Sequence, residues 1–505
     1  MMSPDAIIRS IAGRINGLKK LFERSPFVFD RIVFGVAKLD AGEVLLVAST
    51  KPFSLGVSGE EGPQLDTGDG RLSSRVIPWT TECAKYLREH FDWARPQPLG
   101  LSATFGAGDR LGLATPGHVR ALRQFLIAPI FAQQSVREMT RTNRSADDVM
   151  STALFGVMAE KFHSRWGADA DHLKEIADVS RLAHAGFTMF TFDPSDHVRP
   201  DAFRMDGASL DAAFGAIEGA ADILKRWRNA SIELPGAAGN VVLSLKEEMV
   251  KRNAVAYWGA LCHVAAMSEA LKAGMGNRPA DIEVSFDETD EPTPPATHYF
   301  LARELKELGV RFTGLALRFV GEFEKAVDYR GDVEEFRKQF QLHAQLARKI
   351  GPYKLSVHSG SDKFSVYPIV GEETKGLLHV KTAGTSYLEA VRVVARRSPD
   401  LYRAIHRLAL ERFNTDRASY HVTTDLAKVA PLDTLPDDRL EGYLNQDDSR
   451  QLIHITYGSV LADKSLRGQL FKVLETHDEE HYETVASHIA RHVDLLGIRR
   501  VQAIG

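Results

Sequence analysis

Cysteine is almost absent from this sequence of 505 residues, in which only Cys83 and Cys262 occur. Two cysteines are too few for a disulfide framework or a thiolate zinc site, and they suit a reducing compartment. Long apolar runs are missing as well, since Arg and Lys interrupt the first residues and no stretch of about 18 apolar residues follows. We therefore expect a cytoplasmic protein that has no membrane partner.

An excess of charge of either sign is also lacking. Lys and Arg number 63 and Asp and Glu number 67, which gives a net charge of −4. This balance provides no long-range field for nucleic acid or an anionic membrane, so neither is expected as a partner. The chain is 44% hydrophobic and 26% charged, as ordinary globular proteins are. The expected partner is a small molecule, and a homo-oligomer is left open.

The order of β-rich and helical patterns predicts three parts. Residues 28–50 contain two apolar runs separated by Asp40-Ala41-Gly42, which is typical of a hairpin, so residues 1–97 are predicted to form a small α+β unit. Residues 98–400 are predicted to form a barrel with an insertion at about 200–280. Residues 401–505 are mostly helical in pattern and are predicted to pack on the barrel as an extension.

Eight β-rich runs alternate with helical patterns in the central part. Such alternation favours parallel pairing, and eight units are the number that a closed (β/α)8 barrel of the α/β class requires. The predicted strands are 99–106, 125–132, 165–171, 187–193, 281–288, 314–320, 353–359 and 377–383.

Histidines and carboxylates are concentrated where these predicted strands end. In a (β/α)8 barrel the active site lies at the carboxyl ends of the strands. A cluster of imidazoles and carboxylates without thiolates is the ligand set expected for a divalent ion such as Zn²⁺, Mn²⁺, Fe²⁺, Co²⁺ or Ni²⁺. The sequence therefore predicts a metal site, although a single histidine of this kind is more often a hydrogen-bonded structural residue.

Alternation along the last two strands places three polar side chains inside the barrel. In KLSVHS, Leu355 and Val357 share one face, so His358 points inward if the apolar face meets the helices. The same reasoning places His379 and Lys381 on the inner face. Both histidines are predicted metal ligands, and Lys381 is either a catalytic cation or a buried ion-pair partner.

The segment GADADH (167–172) cannot direct all of its polar side chains to one face of a regular strand. In a regular strand His172 and the pair Asp169 and Asp171 point to opposite faces, so they cannot all point inward. We predict His172 as a ligand and Asp171 as a base or as a partner that fixes an imidazole tautomer. The pair Asp287-Glu288 ends another strand and can serve as a ligand or as a general acid or base.

Cofactor and nucleophile motifs are lacking. GAGDRLG (106–112) fits neither the dinucleotide fingerprint nor the P-loop, and HSGSD (358–362) lacks the G-x-S-x-G elbow of serine hydrolases. Arg110, Arg318 and Lys363 can hold a substrate carboxylate or form structural ion pairs.

The polar strand ends lie in long strings that resemble the bacterial tagaturonate epimerase family. The resemblance runs from about residue 98 to 496 and is too specific for a generic barrel, whereas residues 1–97 and 200–280 contribute nothing to it. The strings are GDRLGLATPGHVRAL (108–122), PIFAQQSVRE (129–138), GADADHLK (167–174), GFTMFTFDPSDHVR (186–199), SFDETDEPT (285–293), LALRFVGEFEKAVDYRGD (315–332), YKLSVHSGSDKFSVYP (353–368), HVKTAGTSYLEAV (379–391), RQLIHITYGSVL (450–461) and YETVASHIARHVDLL (482–496).

The resemblance implies a metal-dependent isomerase that interconverts D-tagaturonate and D-fructuronate, two hexuronates of galacturonate catabolism. The inverted carbon is C4, whose hydrogen is not acidic, so we expect retro-aldol cleavage and re-addition. Within the family strings we assign metal ligands (His172, His358, His379), catalytic residues (Asp171, Glu288, Lys381) and substrate-binding residues (Gln134, Ser135, Asp196, Arg318, Lys363).

Two other functions are compatible with the same barrel. Another sugar enzyme, such as an aldose–ketose isomerase, a metal aldolase or a ketohexose 4-epimerase, would use the same polar cluster. A catalytically silent carbohydrate-binding or regulatory barrel would not need that cluster.

Overall fold

The computed structural model describes residues 2–501 apart from 52–54, 68–69, 237–238, 290 and 421. Within these residues no helix is long and apolar enough to span a membrane. The described chain contains an N-terminal sheet, a closed barrel and a set of C-terminal helices, as the sequence predicts. The predicted limits of the three parts stay a prediction.

The N-terminal unit is a seven-stranded sheet with two helices. The predicted hairpin is present as an antiparallel pair in which Leu39 lies opposite Gly42, the residue whose φ of 127° favours glycine at the turn. The strands are β1 (Leu18–Leu21), β2 (Phe27–Phe29), β3 (Ile32–Leu39), β4 (Gly42–Ser49), β5 (Glu60–Glu61), β6 (Leu65–Thr67) and β7 (Gly70–Pro78), and the helices are α1 (Pro4–Ala12) and α2 (Thr81–His90).

The central part is a closed barrel of eight parallel strands, which confirms the predicted fold. The strands are β8 (Thr104–Ala107), β9 (Ala128–Ser135), β10 (Gly167–Leu173), β11 (Met189–Phe192), β14 (Asp281–Phe286), β15 (Gly314–Leu317), β16 (Lys354–Val357) and β17 (Leu378–Thr382). Their order around the barrel is β10-β11-β14-β15-β16-β17-β8-β9. Each overlaps its predicted run, although the first begins five residues later than the run at 99–106.

Helices surround the barrel and follow most of its strands. They are α3 (Thr115–Leu122), α4 (Val136–Thr142), α5 (Ala146–Ala159), α6 (Ile176–Ala185), α10 (Pro295–Glu307), α11 (Val333–Ile350), α12 (Tyr367–Thr374) and α13 (Thr385–Arg397). The predicted insertion between β11 and β14 holds α7 (Gly207–Gly215), α8 (Ala220–Trp227), the antiparallel pair β12 (Ser231–Leu234) and β13 (Val241–Ser244), and the crossover helix α9 (Glu247–Met275).

The C-terminal helices pack on one side of the barrel. They are α14 (Pro399–Asp416), α15 (Asp447–Ile455), α16 (Tyr457–Ala462), α17 (Lys464–Thr476) and α18 (Asp478–Leu495). Helix α18 packs against α3 and α13, and a second apolar core lies between α13 and this extension. The extension is therefore attached to the barrel near the ends of β8 and β17.

The interior of the barrel is polar at its floor. Lys354 on β16 donates to the Thr104 hydroxyl on β8 at 3.1 Å, and the same hydroxyl lies 2.9 Å from Nδ1 of His379. Leu355 and Val357 are fully buried in the apolar core outside the strands, so the alternation predicted for β16 and β17 is present. The floor of the barrel is therefore crossed by hydrogen-bonded polar side chains of β16, β8 and β17.

A buried pair of histidines, His298 on α10 and His343 on α11, makes the stability of the fold sensitive to acid. His298 Nδ1 lies 3.0 Å from His343 Nδ1, and His298 Nε2 lies 2.7 Å from the Tyr353 hydroxyl. Burial lowers the pKa of His343 to about 3 and holds the pKa of His298 well below its ordinary value. The unfolded chain therefore binds more protons below about pH 6.5, and the stability that these histidines contribute is lost as pH falls toward 3.

We expect His343→Leu to reduce this loss. Between about pH 6 and 4 the unfolding free energy of the variant should fall less steeply than that of the unaltered chain, by up to about 1.4 kcal/mol per pH unit. Urea unfolding at several pH values measures the two slopes. Equal slopes would contradict the assignment of His343 as a neutral buried residue.

Candidate active site

A β-bulge at the end of β10 directs two neighbouring side chains into the barrel. The register with β11 shifts between Ala170 and Leu173, and His172 has a φ of 48°. A non-glycine residue in the left-handed region is uncommon and is frequent at functional sites. Because of the bulge, side chains that a regular strand would direct to opposite faces lie on the same side. Asp169, Asp171 and His172 all contact residues inside the barrel.

His172, Asp287 and His358 form a compact group at the carboxyl ends of the strands, which we call the His–Asp–His group. One ligand atom from each lies within 4.8 Å of the other two. Asp287 Oδ1 is 3.1 Å from His358 Nδ1 and 3.6 Å from His172 Nε2. The carboxylates of Asp171 and Asp287 raise the pKa of His172 well above its ordinary value, although burial opposes this.

Carboxylates also hold the far nitrogens of both imidazoles. His172 Nδ1 lies 2.6 Å from Asp171 Oδ1, and His358 Nε2 lies 2.6 Å from Glu283 Oε1. His172 Nε2 is buried and has no hydrogen-bond partner among the described residues. A histidine that ligates a metal usually donates its other N–H to a carboxylate, and this contact fixes its tautomer and orientation. Both imidazoles are therefore oriented in the way that metal-ligating histidines usually are.

Lys381 lies below this group in a cage of carboxylates. Its Nζ is 2.8 Å from Asp169 Oδ2, 2.8 Å from Asp171 Oδ1 and 3.1 Å from Glu283 Oε1. It also donates to the Thr191 hydroxyl at 2.6 Å. Burial opposes its charge, but these carboxylates hold the pKa of Lys381 well above its ordinary value. The raised pKa favours the cationic form of Lys381 at neutral pH, in which it does not act as a base.

The His–Asp–His group faces a cleft with two chambers. Five residues line both chambers: Arg137, Lys325, His358, Ser359 and Tyr420. The outer chamber, of about 370 Å³, is lined further by Asp287, Glu288, Thr289, Leu317, Arg318, Phe319 and Phe323. The inner chamber is lined further by Arg110, Ser135, Glu138, Asp171, His172, Ala326, Ser361, Lys381, Ala383, Gly384 and His454.

The structure brings seven predicted site residues to this cleft, namely Ser135, Asp171, His172, Glu288, Arg318, His358 and Lys381. Ser135 also caps α4, because its hydroxyl accepts from the Glu138 backbone N–H at 3.2 Å. Arg318 pairs with Glu322 at 3.0 Å. Glu288 is exposed.

Four predicted residues lie outside the cleft, each for a physical reason. Lys363 is fully buried, and its Nζ donates to the backbone carbonyls of Glu324, Val327 and Ser361, so all three of its N–H donors are used.

His379 lies at the floor beside Thr104, away from the His–Asp–His group, and burial lowers its pKa to about 3. Asp196 is exposed and pairs with Lys174 at 2.8 Å. Gln134 is buried with its amide 3.4 Å from Glu138 Oε2.

Several residues of the site were not assigned roles from the sequence. Asp287 was considered only as one member of an acidic pair, and Glu283, which is fully buried inside β14, could have been found from its inward position in DIEVSF. Asp193 is buried, burial raises its pKa, and it forms a second candidate group with His172 and Glu288. Tyr420 and His454 come from the C-terminal extension, where no strand pattern marks them.

Comparison with known proteins agrees with this geometry. A family model described as tagaturonate epimerase matches residues 22–496. The chain belongs to the tagaturonate epimerase family. A tagaturonate/fructuronate epimerase of Thermotoga maritima is 44% identical over 481 residues, which cover 94% of this chain and 97% of that protein.

Solved structures extend the likeness to three dimensions. A glycerol complex of the fructuronate-tagaturonate epimerase of Cohnella laeviribosi is 35% identical, with a TM-score of 0.88 over 98% of this chain and 99% of that one. The native structure of the same enzyme has a TM-score of 0.87 at 35% identity and covers 99% of this chain and 100% of that one.

The family assignment confirms the predicted resemblance and the predicted enzyme class, an epimerase. It also extends the resemblance, because the family match begins at residue 22 rather than near 98 and includes most of the N-terminal unit and the segment 200–280. The family match therefore includes the N-terminal sheet from residue 22 onward.

Proposed function

We propose that this chain inverts C4 of a keto-hexuronate and so interconverts D-tagaturonate and D-fructuronate, with a divalent metal ion held by His172, Asp287 and His358. The observation that carries the proposal is that carboxylates orient the imidazoles of His172 and His358 at the carboxyl ends of the strands, in a barrel of the tagaturonate epimerase family. A cytoplasmic location, predicted from the composition, belongs to the same proposal.

The chemistry of the donor atoms fits a divalent ion. Two imidazole nitrogens and one carboxylate oxygen, with no thiolate, are suitable ligands for Zn²⁺, Mn²⁺, Fe²⁺, Co²⁺ or Ni²⁺. His172 Nε2 is buried without a hydrogen bond in the described part of the chain, and its nearest charged group, Asp287 Oδ1, is 3.6 Å away and belongs to the same proposed ligand set. His379, whose Nδ1 lies beside Thr104 at the floor, is left out of the proposed ligand set.

The substrate restricts the mechanism. The hydrogen on C4 is β to the ketone at C2 and has no electron sink, and the described chain offers no nicotinamide fingerprint for transient oxidation. Cleavage of the C3–C4 bond after loss of the C4 hydroxyl proton leaves an aldehyde at C4 and moves the bonding electrons into the C2 ketone. The aldehyde turns, C3 adds to its other face, and the new alkoxide recovers the proton.

Glu288 is the better placed of the two predicted bases. It lines the outer chamber and makes no hydrogen bond or ion pair to the described residues. Asp171 Oδ1 already contacts His172 and Lys381, which hold the pKa of Asp171 well below its ordinary value although burial opposes them. A carboxylate with so low a pKa is a weak base, so we assign proton transfer to Glu288 and orientation of His172 to Asp171.

The remaining groups bind and orient the substrate. Lys381 keeps Asp171 and Glu283 ionised, and these carboxylates orient the two imidazoles. A bound divalent ion would supply a Lewis acid that stabilises negative charge on the ketone oxygen. Arg318 contributes a guanidinium whose Nε is buried without a partner among the described residues.

A panel of substrates tests the proposal against the other sugar enzymes. The purified protein is supplied with divalent metal and incubated separately with tagaturonate, galacturonate and tagatose, and the products are followed by NMR. We expect fructuronate from tagaturonate, no ketose from galacturonate, and at least about tenfold lower kcat/KM for tagatose. Conversion of galacturonate would indicate an aldose–ketose isomerase, and accumulation of three-carbon products would indicate an aldolase.

A further inference from the structure

The C-terminal extension places one histidine in the inner chamber. His454 lies on α15, is 1% exposed and lines the chamber together with Lys325 and Lys381. Its ring packs so closely on Gly384, which follows β17, that a Cβ at that position would collide with the imidazole. The absence of a side chain at residue 384 therefore allows the extension to bring His454 to the site.

Arg110 fixes which ring nitrogen of His454 carries the proton. Arg110 Nη1 donates to the His454 backbone carbonyl at 3.1 Å, and Nη2 lies 3.5 Å from His454 Nε2. A guanidinium only donates hydrogen bonds, so Nε2 must be the acceptor and Nδ1 must carry the N–H. Arg110 is itself held by Glu138 at 2.9 Å and by the face of the Tyr457 ring at 3.7 Å.

The Nδ1–H of His454 has no hydrogen-bond partner among the described residues, and two cations line the same chamber. His454 Nδ1 is buried without a hydrogen-bond partner in the described ranges. Burial, reinforced by Arg110 and Lys325, holds the pKa of His454 well below its ordinary value, so the ring is neutral. Lys325 and Arg137 line both chambers, and neither has a carboxylate within 4 Å among the described residues. Arg137 lies over the Tyr420 ring at 5.6 Å, and Glu288 raises its pKa although burial opposes this.

We propose that His454 Nδ1–H, Lys325 and Arg137 form the subsite that binds the carboxylate of the substrate. This inference rests on the proposed function, and it replaces Lys363, which was predicted for this role. His454, Lys325 and Arg137 line the same inner chamber, and a neutral N–H beside two cations is complementary to an anionic oxygen. The C-terminal extension thereby determines the preference for uronates over neutral ketoses.

Affinity measurements on two substitutions of the same residue test the subsite. Calorimetry with the purified, metal-supplied protein compares tagaturonate with tagatose. His454→Phe keeps a ring but has no N–H, and we expect it to weaken tagaturonate binding by about tenfold to a hundredfold and tagatose binding by less than about threefold. His454→Asn can place an amide N–H near the Nδ1 position, so tagaturonate affinity should stay within about threefold.

His406→Phe is the matched control. His406 is a buried histidine on α14 of the same extension that contacts Tyr402 and Tyr443 and does not line the cleft. Both affinities should be unchanged in this variant.

Three results would contradict the assignment of this carboxylate-binding subsite. They are unaltered tagaturonate binding by His454→Phe, equal weakening for both sugars, and a loss in His454→Asn as large as that in His454→Phe. An unaltered chain that binds tagaturonate without inverting C4 would refute the proposed function alone, because the comparison of affinities needs no turnover. A chain with no affinity for tagaturonate would refute both.

Discussion

Replacing Asp287 with alanine is expected to lower kcat at least about a thousandfold and to remove most of the bound metal. Asp287 Oδ1 lies between the two imidazoles and is the only carboxylate of the His–Asp–His group. Without it, the two imidazoles remain as ligands with no carboxylate between them, and they hold a divalent ion weakly. His358→Ala should have the same two effects, and exhaustive chelation of the unaltered enzyme should abolish turnover.

Metal analysis and steady-state kinetics on the same samples measure this prediction. Asp211→Ala is a suitable control, because Asp211 is an exposed carboxylate that pairs with Lys251 in the insertion. The control should retain both metal and activity. Full activity in the metal-stripped enzyme, or an unchanged metal content in Asp287→Ala, would show that the group is structural.

Lys381→Met should have the largest effect on stability. Lys381 is the shared partner of Asp169, Asp171 and Glu283, and the carboxylate side chains are at most 6% exposed. Removing one partner of a buried ion pair costs roughly 3–5 kcal/mol, since it leaves an uncompensated charge. Activity should be lost as well, because protonation of Asp171 or Glu283 would remove the contacts that orient His172 and His358.

Lys354→Met provides the comparison for this prediction. Lys354 is an equally buried lysine of the barrel, but among the described residues its Nζ makes one hydrogen bond, to Thr104, and has no carboxylate within 4 Å. Burial lowers its pKa although more distant carboxylates oppose this, so replacing Lys354 should destabilise the fold much less. Chemical unfolding of the two variants measures how much unfolding free energy each substitution removes. Equal losses would mean that the carboxylate cage contributes nothing specific.

The barrel was predictable because its strands alternate regularly with helices. The alternation of Leu355 and Val357, which are buried in the apolar core, indicated that His358 points inward, and its Nε2 lies 2.6 Å from Glu283 Oε1 inside the barrel. The bulge at His172 was not predictable, because it depends on the register between β10 and β11. Sequence parity alone would have excluded either His172 or Asp171.

The differences between the predicted site and the residues that line the cleft have a common physical cause. A polar residue after a strand can turn toward the cleft or toward the backbone of a neighbouring loop, and the sequence does not distinguish the two. Lys363, in the loop after β16, donates to three backbone carbonyls. Lys325, in the loop after β15, lines the cleft instead. His454 and Tyr420 were missed because their position depends on how the extension docks on the barrel.

Incubation of tagaturonate with the metal-supplied enzyme in D₂O, followed by NMR of the product, tests the central claim most directly. Metal-dependent cleavage and re-addition at C3–C4 predicts fructuronate that keeps the original hydrogen on C4, and no product once the metal is removed. Deuterium at C4, or no conversion to fructuronate by the metal-supplied enzyme, would contradict the account.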